Sequence, residues 1–433
     1  MFEHIKNKKI AVYTLGCKVN QYESDSMMDL LEKEHCNIVS FDEKADVYII
    51  NTCAVTNMAE RKSRQIIHRA KKKNPNALIV VTGCYVQAEK DAIEKEGTIG
   101  LLIGNNRKKD VARILNAYFE NKVIEDNFID INATKEYESM WLSAPHDHTR
   151  AYVKVQDGCN NFCSYCIIPY TRGRIRSRAM DEVIEEITTL SLNGIHEVVL
   201  TGINLSSYED TNGGGDLLDL ITAVSAIPKL LRVRLGSLEP RIITERFLEG
   251  LKNNKKFCPH FHLSLQSACN ETLKRMNRHY TIEEYMEKCE LIRTYFDRPA
   301  LTTDIIVGFP GETDEEFETT RQNLLKLQLY EMHIFKYSRR KNTVADRMPN
   351  QVPDVLKDSR SNCLLEMTAK HKAAFEHSFA GEEVDVLVEE IIMEDGKEYL
   401  RGHTDRYIVV DRQITSLDEH ELVNNIVPMT IKE

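Results

Sequence analysis

The chain of 433 residues is 42% hydrophobic and 29% charged, which is typical of a globular protein with two or three domains and excludes a disordered or fibrous chain. Its formal net charge of -10 means that any nucleic-acid contact must come from local basic patches. No apolar run reaches the roughly 20 residues of a membrane helix, and the first nine residues lack the apolar core of an export signal. We therefore expect the eleven cysteines in a reducing cytoplasm, as buried apolar side chains or metal ligands.

The first predicted unit, residues 1–140, alternates short apolar strands with helices, as in a Rossmann-like parallel sheet. Strands are predicted over residues 10–14, 47–50, 78–81 and 101–103, and helices over 24–34 and 58–73. The polar stretch 120–150 is predicted to be a linker.

The second unit, residues 141–373, contains six predicted strands separated by helical segments. They cover residues 152–156, 197–201, 232–235, 260–265, 301–307 and 332–337. Six such units predict a partial (β/α)6 barrel. In the third unit, residues 374–433, short alternating runs at 384–389, 399–403 and 406–411 predict a small β-barrel. The predicted fold class is therefore α/β, followed by a small all-β domain.

Three cysteines lie within eight residues, directly after the first strand of the second unit: Cys159, Cys163 and Cys166. Soft thiolates select zinc or iron–sulfur centres. A structural zinc ion would need a fourth ligand, such as His146 or His148. A 4Fe-4S cluster can instead bind three cysteines and leave its fourth iron open to a substrate. The compact spacing argues against three unrelated buried cysteines.

Three further cysteines each follow a predicted strand of the first unit: Cys17, Cys53 and Cys84. Since the carboxyl ends of neighbouring parallel strands form one crevice, we expect these thiols to meet. The alternative is that each is a small buried hydrophobic side chain. Five other cysteines have no such pattern and are predicted to serve packing or to lie on the surface: Cys36, Cys258, Cys269, Cys289 and Cys363.

These two cysteine sets and their flanking motifs resemble those of the radical S-adenosylmethionine methylthiotransferases. The motifs are TLGCKVNQYES at 14–24, NTCAVT at 51–56, CNNFCSYCIIPYTRG at 159–173, LSLQSACNETLKRMNR at 263–278 and DIIVGFPGET at 304–313. The first and fourth are most similar to the branch that acts on N6-threonylcarbamoyladenosine in tRNA. Two other branches, acting on isopentenyladenosine or on a ribosomal protein side chain, remain alternatives.

The resemblance implies methylthiolation of C2 of the modified adenosine next to the anticodon. It implies two 4Fe-4S clusters, an auxiliary one on Cys17, Cys53 and Cys84 and a radical-generating one on Cys159, Cys163 and Cys166. Two S-adenosylmethionine molecules are expected per turnover, and the third unit would be an RNA-binding TRAM domain. The electron donor and the sulfur source stay open. Candidate contacts to S-adenosylmethionine are Thr201, Gly202, Glu239, Gln266 and Arg178.

Two basic runs are candidate contacts to RNA phosphates in this acidic chain. An anticodon loop suits such a site, because its unstacked bases can enter a pocket without melting a duplex. The alternative for each basic residue is a solvated or internally paired side chain. A non-enzymatic alternative for the whole chain is a metal-stabilised RNA-binding protein. The candidates are Arg172, Arg174 and Arg176 in one run, and Lys274, Arg275 and Arg278 in the other.

Overall fold

The amino-terminal unit is a parallel sheet with helices on both faces. The structure is a computed structural model that describes residues 2–94, 97–124, 127–145 and 149–432, without the side chain of Ala92. The strands pair in the order β2-β1-β3-β4-β5 and are all parallel. The strands are β1 (Lys9–Thr14), β2 (Asn37–Ile38), β3 (Val47–Thr52), β4 (Leu78–Gly83) and β5 (Leu101–Ile103), and the helices are α1 (Lys18–Lys33), α2 (Asn57–Lys73), α3 (Cys84–Glu94) and α4 (Val111–Phe119).

The central unit is a partial barrel of six parallel strands, with one short antiparallel strand at its edge. Its two sheets, β7-β6-β8-β9 and β10-β11-β12, are joined by parallel bridges such as Leu238 to Leu263. The strands are β6 (Arg150–Asp157), β7 (Arg176–Ser177), β8 (Glu197–Gly202), β9 (Arg232–Leu235), β10 (His260–His262), β11 (Ala300–Val307) and β12 (Glu331–Lys336). The helices are α5 (Ile168–Thr171), α6 (Met180–Leu192), α7 (Leu217–Ser225), α8 (Glu245–Lys252), α9 (Asn270–Arg275), α10 (Ile282–Tyr295), α11 (Asp314–Leu327) and α12 (Asp354–His377).

The carboxyl-terminal unit is a curled antiparallel sheet in the order β15-β14-β13-β16. It begins after α12, whose last turn contains the predicted boundary at residue 374. The strands are β13 (Glu383–Glu394), β14 (Lys397–Thr404), β15 (Val409–Gln413) and β16 (Ile426–Thr430). Together the three units confirm the predicted α/β fold class with a small β-barrel at its end.

The predicted linker is packed against the two domains that it joins. Ile131, Met140 and Leu142 are buried within it, and the Tyr137 hydroxyl donates a hydrogen bond to the Lys154 carbonyl at 2.6 Å. The stretch is therefore not a free tether over its described residues. No helix in the described ranges is both long and apolar enough to cross a bilayer.

Alternate residues of the barrel strands point to opposite faces, and the two faces differ in chemistry. One set, such as Val153, Val198 and Val233, joins the core beneath the helices. The other set faces the inside of the barrel and is polar. We call this inner space the lumen and define it by Arg150, Lys154, Glu197, Arg234, His260, His262, Thr302 and Asp304.

The carboxyl-terminal unit closes one end of the lumen through Tyr407. The Tyr407 ring stacks on His260 at 5.2 Å between ring centres. The guanidinium groups of Arg150 and Arg234 lie 4.9 and 5.0 Å from the centre of the same ring. An amphipathic ring between two cations and a histidine makes a specific contact between the two domains.

Candidate active site

The sheet brings three cysteines to the carboxyl ends of three adjacent strands. Cys17 caps the start of α1 after β1, Cys53 directly follows β3, and Cys84 begins α3 after β4. Cys17 is exposed, whereas Cys53 and Cys84 are buried. We call this set the N-terminal triad. Its assembly follows from the parallel order β1-β3-β4, as expected from the sequence.

The barrel triad, Cys159, Cys163 and Cys166, lies in the loop between β6 and α5. The loop is held by its own backbone, since the Cys166 amide donates to the Cys163 carbonyl at 2.9 Å. The Cys159 amide likewise donates to the Gly173 carbonyl at 3.1 Å. These bonds turn the chain back on itself directly above the end of β6.

A glycine precedes one cysteine of each triad where a side chain would not fit. Gly16 has φ of 107°, in the left-handed region that favours glycine, and a Cβ there would lie 2.9 Å from the Cβ of Cys53. Gly158 has φ of 73°, and a Cβ there would lie 1.9 Å from the Arg174 carbonyl oxygen. Both loops therefore depend on glycine for their close approach.

Neither set of three sulfur atoms lies as close together as a single zinc ion would hold them. Zinc held by thiolates at about 2.3 Å would bring the sulfurs within about 3.8 Å of one another. Within the described ranges, the one group of three metal-ligand side chains with all ligand atoms within 4.8 Å is His262, Asp304 and His333. Neither triad is drawn together that tightly, and a 4Fe-4S cluster places its cysteines on different irons. His146 and His148, the candidate fourth zinc ligands, lie outside the described residues.

Burial raises the pKa of three triad thiols, those of Cys53, Cys159 and Cys166, and so favours their protonated form. Desolvation raises the pKa of Cys53 to about 12, with Cys84 as a further cause, and raises the pKa of Cys166 to about 12, with Cys163 as a further cause. The pKa of Cys159 is also raised, mainly by burial. Since only thiolates bind iron, loading of either triad must release protons.

A buried ion-pair network lies directly behind the N-terminal triad. Arg172 is 1% exposed, and its Nε donates to the Cys84 sulfur at 3.3 Å. Its Nη1 binds Glu23 at 2.8 Å and Asp157 at 3.2 Å. Lys108 and Lys154 bind the same Glu23 carboxylate at 2.5 and 3.1 Å. These cations hold the pKa of Glu23 well below its usual value despite burial, which alone would raise it.

This arrangement corrects the prediction of an exposed basic run after the barrel triad. Arg172, Arg176 and Arg178 are all buried, so they cannot contact RNA phosphates without refolding. Arg176 donates to the Arg172 carbonyl at 2.7 Å, which fixes the loop. Arg178 pairs with Glu186 and donates to the Tyr22 hydroxyl at 3.2 Å, outside the neighbourhood of the barrel triad. Arg174 alone of this run is exposed.

The second basic run also contains both an exposed residue and internally paired residues. Lys274 is exposed, whereas Arg275 forms a two-pronged pair with Glu316. Arg278 lies at the barrel triad: its Nη1 donates to the Cys163 sulfur at 3.3 Å, and its Nη2 binds Glu239 at 2.7 Å. Arg278 is thus a neighbour of a candidate cluster ligand and not a surface contact.

A cavity of about 280 Å³ opens beside Cys163. Of the candidate S-adenosylmethionine contacts, Glu239 lines it, and Arg278 lines it as well. The sequence did not single out the other polar residues of the cavity, although two of them, Asn161 and Asn277, lie within motifs named above. The other polar residues are Asn161, Asn204, Ser206, Ser207, Arg241, Asn277, His279 and Tyr280.

The remaining candidate contacts lie near the carboxyl ends of the barrel strands but do not line this cavity. Thr201 is buried near the end of β8, and Gly202 pairs with Gln156 of β6. Gln266 has φ of 71° and bridges to Ile305 of β11. A left-handed conformation in a residue other than glycine marks a constrained position.

The loop that carries the barrel triad continues into residues that contact the N-terminal triad. The Cys159 amide binds Gly173, the next residue is Arg172, and Arg172 contacts the sulfur of Cys84. The Asn105 side chain, beside Cys84, donates to the Thr171 carbonyl at 2.7 Å. The loop of the barrel triad therefore packs directly on the N-terminal triad.

Comparisons with known proteins agree with this architecture. Residues 9–104 match an uncharacterized protein family, UPF0004, and residues 153–324 match the radical SAM superfamily. Among solved structures, the radical S-adenosylmethionine methyltransferase TsrM from Kitasatospora setae superposes with a TM-score of 0.58 at 14% identity, covering 78% of this chain and 74% of that one. The cobalamin-dependent S-adenosylmethionine radical enzyme OxsB gives 0.52 at 11%, covering 85% and 57%. The fold is that of a radical SAM enzyme.

Curated relatives identify the family to which the chain belongs within the radical SAM superfamily. The threonylcarbamoyladenosine tRNA methylthiotransferase MtaB of Bacillus subtilis is 36% identical over 93% of this chain and 89% of its own length. That of Thermotoga maritima is 35% identical over 96% and 92%. The tRNA-2-methylthio-N(6)-dimethylallyladenosine synthase of Alkaliphilus oremlandii is 35% identical over 89% and 83%. The chain belongs to the radical S-adenosylmethionine methylthiotransferase family.

Proposed function

We propose that this chain methylthiolates C2 of N6-threonylcarbamoyladenosine next to the anticodon of tRNA, in the cytoplasm. One observation carries the proposal: the loop that follows the barrel triad packs on the N-terminal triad through the contact of Arg172 with Cys84. The substrate rests on relatives of 35–37% identity that are named for this reaction. Each triad holds one 4Fe-4S cluster, and two S-adenosylmethionine molecules are used per turnover.

The reaction replaces an unactivated aromatic C–H bond, which neither a base nor a simple nucleophile can cleave. Clusters held by the two triads would, together with S-adenosylmethionine, supply carbon-radical chemistry and the methyl group of the product. The chain itself supplies position and electrostatics. Arg172 and Arg278 donate hydrogen bonds to one sulfur of each triad, at Cys84 and Cys163, and so stabilise thiolate character there.

The cavity beside Cys163 is the proposed site of S-adenosylmethionine. Its volume of about 280 Å³ is near the lower end of the range for small-molecule sites. Glu239 and Asn204 offer oxygen acceptors to the amino group of the methionine moiety, and Arg278 offers a cation to its carboxylate. Thr201, Gly202 and Gln266 remain proposed contacts at the neighbouring strand ends.

The exposed surface beside the barrel triad offers contacts for a splayed RNA loop. Tyr170 is 44% exposed and packs edge-on against Phe162, with 6.0 Å between ring centres. The Arg174 guanidinium lies 4.6 Å from the centre of the Phe162 ring. Aromatic rings next to a cation are suited to stack on bases and to bind phosphates. We propose Arg174 and Lys274 as the RNA contacts of the two basic runs.

The test is nucleoside analysis after anaerobic reaction of the reconstituted protein. Anticodon stem-loops that carry either threonylcarbamoyladenosine or isopentenyladenosine are incubated with S-adenosylmethionine and a reductant, then digested for mass spectrometry. We expect the methylthio product from the first RNA, none with Cys17→Ala or Cys159→Ala, and wild-type yield with Cys363→Ala. Product from the isopentenyl RNA alone would assign the chain to the branch of the family that acts on isopentenyladenosine. Product from neither RNA would refute the proposal.

A further inference from the structure

Lys18, the residue after Cys17, belongs to the wall of the lumen. It starts α1, and α1 lies along the inner face of the barrel, because its Glu23 binds the lumen residue Lys154 at 3.1 Å. Lys18 lies within electrostatic range of Arg150, Arg234 and Asp304. Its side chain is solvent-exposed, so the ammonium is accessible to a ligand.

The Lys18 ammonium is uncommitted in the structure. Within the described ranges it makes no hydrogen bond and no ion pair, whereas the lumen cations around it are all engaged. Arg234 binds Glu197 at 2.9 Å, and Arg150 lies 3.4 Å from Glu389. A cation without a partner in a confined polar space is costly unless an anion or water completes it.

The charges around Lys18 favour an anion. At the closed end of the lumen, three guanidinium groups share the two carboxylates Glu197 and Glu389. Lys18 adds a further cation, and of the two carboxylates within electrostatic range of it, Asp304 lies 3.4 Å from His262 and Glu197 is one of those shared by the guanidinium groups. The three guanidinium groups are those of Arg150, Arg232 and Arg234.

We propose that Lys18 binds the carboxylate of the threonyl group on the substrate adenosine, with the lumen as the pocket for that group. This inference rests on the proposed function and names the feature of the substrate that the site recognises. The threonylcarbamoyl group carries one carboxylate and one hydroxyl, and an ammonium binds a carboxylate through a charge-assisted hydrogen bond. His262, Asp304 and His333, which converge within 4.8 Å, provide polar partners for the hydroxyl.

The same pocket disfavours an isopentenyl group. An apolar substituent would displace water from Lys18 and Asp304 without offering either of them a hydrogen bond. Unpaired polar groups left by a wrong substrate produce much stronger discrimination than a mere difference in shape. Position 18 is therefore a specificity-determining residue in this account.

The experiment compares two RNAs that differ only in this charge. Stem-loops that carry threonylcarbamoyladenosine, as the free acid or as its methyl ester, are titrated with cluster-loaded protein under anaerobic conditions, and binding is followed by fluorescence anisotropy. The quantity of interest is the ratio of the two dissociation constants. We expect the wild type to bind the acid about tenfold more tightly than the ester, as a charged hydrogen bond predicts.

Four variants then test which residues produce that preference for the free acid. Lys18→Gln should bring the ratio close to one, Lys18→Arg should keep most of it, and Lys44→Gln, at an exposed lysine far from the lumen, should keep all of it. Asp304→Asn, which leaves the N-terminal triad untouched, should raise the ratio by removing the competing negative charge. A wild-type ratio near one, or an unchanged ratio in Lys18→Gln or Asp304→Asn, would overturn the inference. Failure of the proposed function is a separate outcome: no methylthio product from the free-acid RNA.

Discussion

Nε of Arg172 donates a hydrogen bond to the sulfur of Cys84 over 3.3 Å, while Nη1 of the same side chain binds Glu23 at 2.8 Å. Arg172 comes from the loop that follows the barrel triad, whereas Cys84 and Glu23 belong to the amino-terminal sheet. One buried side chain therefore joins the two cysteine sites and ties the two domains to each other.

Replacing Arg172 should cost far more than replacing its exposed neighbour. Arg172→Met leaves the buried carboxylates of Glu23 and Asp157 short of a partner, so we expect the free energy of unfolding to fall by about 3–5 kcal/mol. Arg174→Met, which removes only a surface contact with Phe162, should change it by less than about 1 kcal/mol. Urea unfolding of both variants measures the difference. Equal effects would show that the network contributes nothing specific.

Arg278 should raise the reduction potential of the cluster on the barrel triad. A hydrogen bond to a cluster sulfur stabilises the reduced, more negative state, so its removal in Arg278→Met should make the reduction potential more negative. A charged hydrogen bond corresponds to a shift on the order of 60 mV. A redox titration of the reconstituted protein, followed by electron paramagnetic resonance, measures the shift, with Lys274→Met as the control. An unchanged or more positive potential would contradict this role.

Stability at mildly acidic pH should depend on His260. Burial, with Arg234 as a further cause, holds the pKa of this histidine well below its usual value, so the folded protein keeps it neutral. The unfolded chain takes up the proton below pH ~6.5. Its contribution is therefore complete above that pH and is lost as the pH falls, by at most about 1.4 kcal/mol per pH unit.

The comparison of wild type with His260→Gln isolates this dependence. Free energies of unfolding at pH 7.5 and 5.5 should differ less in His260→Gln than in the wild type. The exposed His279→Gln should behave as the wild type does. If both variants follow the wild-type curve, the buried histidine is not the source of the pH dependence.

Tyr407 should control the attachment of the carboxyl-terminal domain. Tyr407→Ala removes the stack on His260 and two cation–π contacts, which we expect to lower the stability of the domain contact by about 2 kcal/mol. Tyr407→Phe keeps the ring and should match the wild type. Limited proteolysis would detect release of the domain through faster cleavage after α12. Equal cleavage in the alanine variant and the wild type would show that other contacts hold the interface.

The positions of the strands and of the N-terminal triad could be predicted from the sequence. Each predicted strand is a short apolar or alternating run, and each overlaps an observed strand between β1 and β15. The meeting of Cys17, Cys53 and Cys84 follows from a general property of parallel sheets, which needs only the strand positions. Local pattern and simple topology were sufficient for these features.

The buried network could not be predicted in this way. Arg172, Arg176 and Arg178 alternate along the chain like a surface strand, and nothing local reveals that Glu23, about 150 residues earlier, supplies a partner. The long helix α12 was missed as well, since its buried side includes Lys357, Arg360 and Ser361 and gives no apolar period. Both cases depend on partners that are distant in sequence.

Metal analysis of anaerobically reconstituted protein tests the central claim most directly. With one 4Fe-4S cluster on each triad, the wild type should carry about eight irons per chain, and removal of either whole triad should leave about four. The variant without the N-terminal triad should still cleave S-adenosylmethionine to deoxyadenosine, and the variant without the barrel triad should not. About four irons in the wild type, or zinc in place of iron, would contradict the account.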